Sequence, residues 1–329
     1  MKRVLFVLLS AAAMPLCAAS YTVHEIPMPN GSPDGIAMDY IAFNPHTNTV
    51  WVPANNGRVN VIDVATEKVV EISGFTTKEV TVRDRKRIAG PSAVSIGDGV
   101  AYIGNRGDSS ICAVDEKSHK RGACVTLDSS PDGVAYVAST HEVWVTTPRE
   151  NTLRVLDAKT LEQKAKITLD GGPEGFAVDG KGGHFFTNLE DKDRTVEIDL
   201  KTRQPIATWD PACGEAGPRG LRFDDVNNHL IVACTNKAET MDMRGKILSS
   251  VDTGDGVDDM DLRNGRLYVG AAKAAKLTIV DVAPDGHLSV IAQVDTRPGA
   301  RNPAVTAGGK VFLAHGGGVN SNAVVVVKP

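Results

Sequence analysis

Residues 172–209 read GPEGFAVDGKGGHFFTNLEDKDRTVEIDLKTRQPIATW, and the fold follows from this stretch. Its four short runs, FAVD, HFFT, TVEID and QPIATW, are rich in β-branched or aromatic residues. Gly, Asp, Asn and Lys-Thr turns separate them, which predicts four strands joined by hairpins. The same pattern recurs from Ser130 (SPDGVAYVAS), Gly90 (GPSAVSIGDG) and Gly217 (GPRGLRFDDV). Weaker copies begin at Ser32 (SPDGIAMDYI) and Gly256 (GVDDMDLRNG), and a shortened one near Asn302. No sustained helical period of apolar residues competes with this reading.

The third residue of the GPxG element falls at Asp34, Ser92, Asp132, Glu174, Arg219, Asp258 and, by alignment, Asn302, giving steps of 58, 40, 42, 45, 39 and 44. Periods of about 40 to 45 with several short strands each mark a propeller. The long first step implies an insertion of about 16 residues, placed between Ser73 and Ala89. The last copy holds three strands, PAVTA, KVFLAH and AVVVVK. Residues 21–26 (YTVHEI) supply a fourth, and a ring closed in this way leaves no open seam. The expectation is an all-β, seven-bladed propeller of four-stranded antiparallel blades, its last blade completed by the N-terminal strand.

Asp63, Asp115, Asp157, Asp199, Asp242 and Asp281 recur where third strands end, and Thr66, Ser118, Thr160 or Thr202 follows three later in four of them. A carboxylate there accepts backbone N–H groups of the next turn, so its recurrence is structural.

Residues 1–19 read as an export signal: Lys2 and Arg3 precede a short apolar stretch, and Cys17-Ala18-Ala19 places small residues at a cleavage site. Leu16 argues against lipidation of Cys17. No later run is apolar enough to predict a membrane span. Residues 20–329 are then expected to form one propeller domain, periplasmic or secreted and monomeric. The other four cysteines suit an oxidising compartment, where three pairings are open to them. The blade register selects Cys112–Cys124, opposed across a hairpin, and Cys213–Cys234, both at the axial face.

The chain carries 36 basic and 40 acidic side chains, a formal charge of -4, and only 5% aromatic residues. A nucleic-acid partner is disfavoured by this charge, and a base-stacking platform by the shortage of rings. CxxC, HExxH and CxxCH motifs are all missing, so neither a zinc motif nor covalent haem is indicated. Three tryptophans are too few for the blade docking of pyrroloquinoline quinone (PQQ) propellers.

Phe186-Thr187-Asn188, Ala233-Cys234-Thr235-Asn236 and the run Asn151-Thr152-Leu153-Arg154-Val155-Leu156-Asp157 resemble the YVTN repeat. Over the whole mature chain the pattern is similar to YncE-type seven-bladed propellers of bacterial exported proteins. That resemblance implies fold more than activity, since related propellers serve as binding scaffolds, lactonases, lyases or electron-transfer subunits.

In an antiparallel meander the start of strand one and the end of strand two share one edge. The axial face is therefore expected to gather Asp34, Asn55, Asn105, Asp132, Glu174, Asn188, Glu190, Arg219, Asn236, Asp258 and His315 as ligand-binding candidates. Glu174, Asn188, Asn236 and Asp258 form a candidate oxygen set for Ca²⁺ or Mg²⁺, and Glu174 beside Arg219 a candidate ion pair. His315 is the histidine placed to act as a base. The insertion carries Lys78, Glu79, Arg83, Asp84, Arg85, Lys86 and Arg87 and should emerge on this same face, as a solvated loop or a lid.

Three functions are open at this point. The first is an exported propeller that binds a small molecule, peptide or periplasmic protein segment without catalysis. The second is a metal-dependent hydrolase or lyase of the lactonase-like type. An accessory subunit of a periplasmic redox enzyme is the third.

Overall fold

The computed structural model describes residues 20–82, 84–318 and 321–329, so the export signal expected at 1–19 lies outside the described residues. Seven four-stranded antiparallel sheets follow one another along the chain. Blades 1 to 6 run from Ala42 to Ile72, Pro91 to Thr126, Val134 to Thr168, Pro173 to Trp209, Leu221 to Asp252 and Val257 to Asp295. Blade 7 is built from Ala300–Val305, Val311–His315 and Ala323–Lys328, with Thr22–Pro27 as its outer strand. Closure by the N-terminal strand is therefore observed, in a ladder from Thr22 opposite Lys328 to Pro27 opposite Ala323.

The strands differ as their positions in a blade demand. Second strands such as Thr49–Ala54 and Glu142–Thr147 are buried on both faces, so their sequences are almost continuously apolar or hydrogen-bonded. Outer strands such as Arg121–Thr126 are largely exposed and carry the polar residues. Inner strands of neighbouring blades meet around the axis. Each blade cannot bury its own faces and must pack on its neighbours. Seven buried clusters occupy the seven interfaces, for example Trp144 with Phe185 between blades 3 and 4 and Phe186 with Leu221 between blades 4 and 5. The Trp144 and Phe185 rings stack at 4.8 Å.

The repeated Asp residues close turns as expected. Asp63, Asp115, Asp157 and Asp199 accept the backbone N–H of Thr66, Ser118, Thr160 and Thr202 at 2.6 to 3.0 Å. Both expected disulfides are formed, with Cys112 directly opposite Cys124 in the ladder and Cys213 joined to Cys234.

The insertion is not a plain loop. Lys78–Val82 pairs with Arg85–Ala89 as a separate two-stranded hairpin. Asn55 Nδ2 donates to the Ile88 carbonyl at 3.0 Å and Asn105 Nδ2 to the Thr76 carbonyl at 3.1 Å, which fixes the base of the arm to blades 1 and 2.

Candidate functional site

The mouth of the ring is built at, or two to three residues before, the starts of the inner strands. Hydrogen bonds between inner and second strands define the equivalent position in each blade. Asp132 N–H donates to the Thr146 carbonyl and Arg219 N–H to the Ala233 carbonyl. Blade 1 bridges Met38 to Ala54, and blade 7 pairs Ala300 with His315. The axial ring is therefore Asp39, Ser92, Asp132, Glu174, Arg219, Asp258 and Arg301. Two of these replace the expected residues: Asp39 stands where Asp34 was expected, and Arg301 where Asn302 was.

The reason is local. Gly35, in the SPDG of blade 1, has φ 79° and packs so tightly on blade 7 that an added Cβ would lie 1.9 Å from the Gly318 carbonyl oxygen. That tetrapeptide is a loop against the neighbouring blade, and Asp34 is exposed there. A signal for the true register was present, because Asp39 precedes Trp51 by 12 residues as Asp132 precedes Trp144.

Charges alternate along most of the mouth. Arg106, from the loop after the second strand of blade 2, bridges Asp39 and Asp132, reaching Asp39 Oδ2 at 3.0 Å. Arg301 joins Asp39 Oδ1 at 3.3 Å to Asp258 Oδ2 at 2.9 Å. Asn302 Nδ2 donates to the same two carboxylates at 2.8 and 2.9 Å, while its Oδ1 accepts the Asp259 N–H. Arg219 turns to Glu190, at 2.5 Å, so the ion pair expected with Glu174 is made with Glu190 instead. Among the described residues Glu174 has neither a hydrogen bond nor an ion pair.

Burial dominates the titration of these groups. It pushes the Asp39 carboxyl up to about 6, against the lowering pull of Arg301 and Arg106. Glu174 rises well above the usual carboxylate range through burial first, then the charges of Asp132, Asp258, Glu190 and Asp39. Glu190 is raised by burial, with Arg219 opposing.

Below this ring lies a second tier. Tyr40 and Phe176, each partly exposed, face one another at 6.1 Å with tilted rings. Arg222 pairs with buried Asp259 at 2.8 Å. On the opposite face an open groove of about 460 Å³ is lined by Val178, Asp179, Lys181, Phe223 and Asp225, together with Ala138, Ser139 and Gly180.

Several sequence candidates are occupied with structure. Asn188, fully buried, donates to the Arg219 and Gly220 carbonyls and accepts from Thr195 Oγ1. Asn55 accepts the Ala37 N–H in addition to holding Ile88. Asn105 bonds Thr76, Asp108 and Gly107. Asn236 is an exposed turn residue whose carbonyl accepts the Thr253 N–H. His315 is 9% exposed, hydrogen-bonds the Pro298 carbonyl through Nε2 at 2.8 Å, and is lowered by burial. Its ring packs against Gly299, where an added Cβ would lie 2.3 Å from it.

Two members of the four-residue oxygen set for a metal are engaged with protein groups: the Asn188 amide oxygen accepts from Thr195 Oγ1, and Asp258 is held by Arg301 and Asn302. Among the described residues, the one grouping of three Cys, His or carboxylate atoms within 4.8 Å is Cys213, Cys234 and Glu239, whose sulfurs are joined to each other. No described helix is long and apolar enough to cross a membrane.

No protein-family model matches the chain, and no curated protein matches it. Solved structures do share its fold. A streptogramin B lyase superposes with TM-score 0.73 at 14% identity, covering 94% of this chain and 97% of the other. Virginiamycin B lyase from Staphylococcus aureus gives 0.73 at 13%, covering 94% and 100%. A chain of hydrazine synthase from Kuenenia stuttgartiensis gives 0.70 at 16%, covering 90% and 96%. At such identities the likeness is one of architecture, and the chemistry has to be argued from the mouth.

Proposed function

We propose that this chain is an exported propeller of the YVTN-repeat, YncE-like type, which binds a small molecule, peptide or protein segment at its axial mouth. The YVTN-like turns around Asn188 and Asn236 and the two disulfides support the family and the export route. The observation that carries the binding role is a set of enclosed polar atoms left without partners: Asp132 Oδ2, Ser92 Oγ, Arg219 Nε and Arg301 Nε. Polar groups this deep are ordinarily satisfied, and four at one mouth point to an occupant or ordered water. Loops on a rigid ring are also where binding groups are commonly placed.

The test is a thermal-shift screen of small molecules and peptides against the wild-type chain and Arg301→Gln. Compounds that raise the melting temperature of the wild type and not of the variant support the mouth as the working surface. A screen in which every responding compound also stabilises the variant refutes it. Calcium belongs in the same screen, and a stabilisation lost in Glu174→Gln would support a metal role.

One observation favours a second reading, a hydrolase or lyase. Glu174 is an unpaired carboxyl at the mouth that burial raises well above the usual carboxylate range, the direction a general acid needs. Turnover of a lactone or cyclic-ester panel, abolished by Glu174→Gln, would establish that reading.

A further inference from the structure

An odd ring cannot alternate its charges all the way round. From blade 1 the mouth presents Asp39, then Arg106 reaching across blade 2, Asp132, Glu174, Arg219, Asp258 and Arg301. Six of the seven steps join opposite charges, and the remaining step sets Asp132 of blade 3 beside Glu174 of blade 4. We propose that this like-charged gap is a socket for a cationic group of the ligand, an ammonium or guanidinium on a small molecule or peptide side chain. The inference rests on the reading of the mouth as a binding surface and names the chemistry that surface selects.

The two carboxylates at the gap are those the ring leaves incompletely paired. Asp132 gives one oxygen to Arg106, yet its Oδ2 is enclosed without a partner in a residue only 9% exposed. Glu174 has no side-chain partner among the described residues, and Arg219, its ring neighbour on the other side, is held by Glu190. Ser92 Oγ, on the adjoining blade, is likewise enclosed and unpartnered, in a residue 5% exposed. Beneath lie the partly exposed rings of Tyr40 and Phe176. Phe176 lies two residues along the same inner strand as Glu174.

Two carboxylates above an aromatic floor suit a diffuse organic cation, since a ring face attracts ammonium and guanidinium groups. Calcium asks for six to eight oxygens, which two carboxylates and one hydroxyl do not supply. Burial and the neighbouring Asp132 charge raise the Glu174 carboxyl above the usual carboxylate range, and a cation seated between the two carboxylates would favour their ionised forms.

The probe is agmatine, titrated calorimetrically into the full chain at pH 7. The expected result is saturable binding that weakens as the pH is lowered and the carboxylates take up protons. Glu174→Gln should weaken that binding about tenfold or more, while Asp34→Asn, outside the ring, leaves it unchanged. Melting curves of each variant establish that the fold is intact, and Glu174→Asp, which keeps the charge, should recover part of the affinity. Absence of agmatine binding to the wild type, or Glu174→Gln binding as the wild type, would each overturn the socket. Neutral or anionic compounds stabilising the chain in an Arg301-dependent way while agmatine does nothing would sink the cation socket and leave the mouth reading standing. If no Arg301-dependent compound of any charge is found, the mouth reading itself has failed.

Discussion

Truncating Ile26 to alanine probes how the ring is closed. Ile26 is 5% exposed and lies in the cluster between blades 7 and 1, with Met28, Ile36, Phe312, Val324 and Val326. Removing most of a buried isoleucine costs about 2 to 5 kcal/mol, the range reflecting how far the site collapses. For some 310 ordered residues, an unfolding entropy of roughly 2.1 cal/mol/K per residue converts this to a fall in Tm of about 3 to 8 °C. Val23, on the same strand and 39% exposed, serves as the control, and its truncation should cost under about 1 kcal/mol. Differential scanning calorimetry of the full chain reads both. If Ile26→Ala melted with the wild type, or Val23→Ala lost as much, the N-terminal strand would not be closing the ring and the blade count would need another explanation.

Glu67 of blade 1 offers an electrostatic test of the same seam. Its carboxylate takes His24 at 2.8 Å, Lys328 at 2.9 Å and Lys310 at 3.2 Å, tying blade 1 to the N-terminal strand and blade 7. Burial opposes ionisation there, but the hydrogen bonds from Lys328, His24 and Lys310 prevail and bring it from 4.5 to about 2. The unfolded chain therefore binds more protons between these values, so this contribution is complete above pH 4.5 and disappears as pH falls through about 2. Glu67→Gln should cost about 1 kcal/mol at pH 7 and flatten that part of the acid unfolding curve. Asn188→Ala should destabilise by about 1 to 3 kcal/mol, since it strands the Arg219 and Gly220 carbonyls, and chemical denaturation will show it. Replacing Cys213 and Cys234 by serine should lower stability by about 2 to 4 kcal/mol without altering the β-sheet content seen by circular dichroism.

Much of the architecture was legible because it is repeated. A four-strand unit with turn residues at constant offsets, copied six times with one shortened copy, specifies blade number from spacing alone. The shortened copy identifies the N-terminal strand as its completion, and the hairpin register around Ser118 brings Cys112 opposite Cys124. These inferences need only local pairing, which periodic sequence encodes directly.

The mouth was only half legible, for a different physical reason. Its carboxylates on blades 3, 4 and 6 follow directly on Pro131, Pro173 and Val257 at the starts of their repeats, so alignment located Asp132, Glu174 and Asp258 correctly. In blade 1 the look-alike SPDG packs on blade 7, and the inner-strand start moves on to Asp39. Arg106 comes from another loop and enters the ring by spanning a whole blade, which no spacing within one repeat encodes. The amides of Asn55, Asn105 and Asn188 looked available because their sequence positions face the mouth. Only the assembled ring shows the carbonyls of the hairpin and the next blade that occupy them. Sequence periodicity determined how many blades there are and how they close. Packing between blades decided which charges are neutralised and left Glu174 beside Asp132 without a partner, because pairing across a ring depends on the neighbours that closure brings.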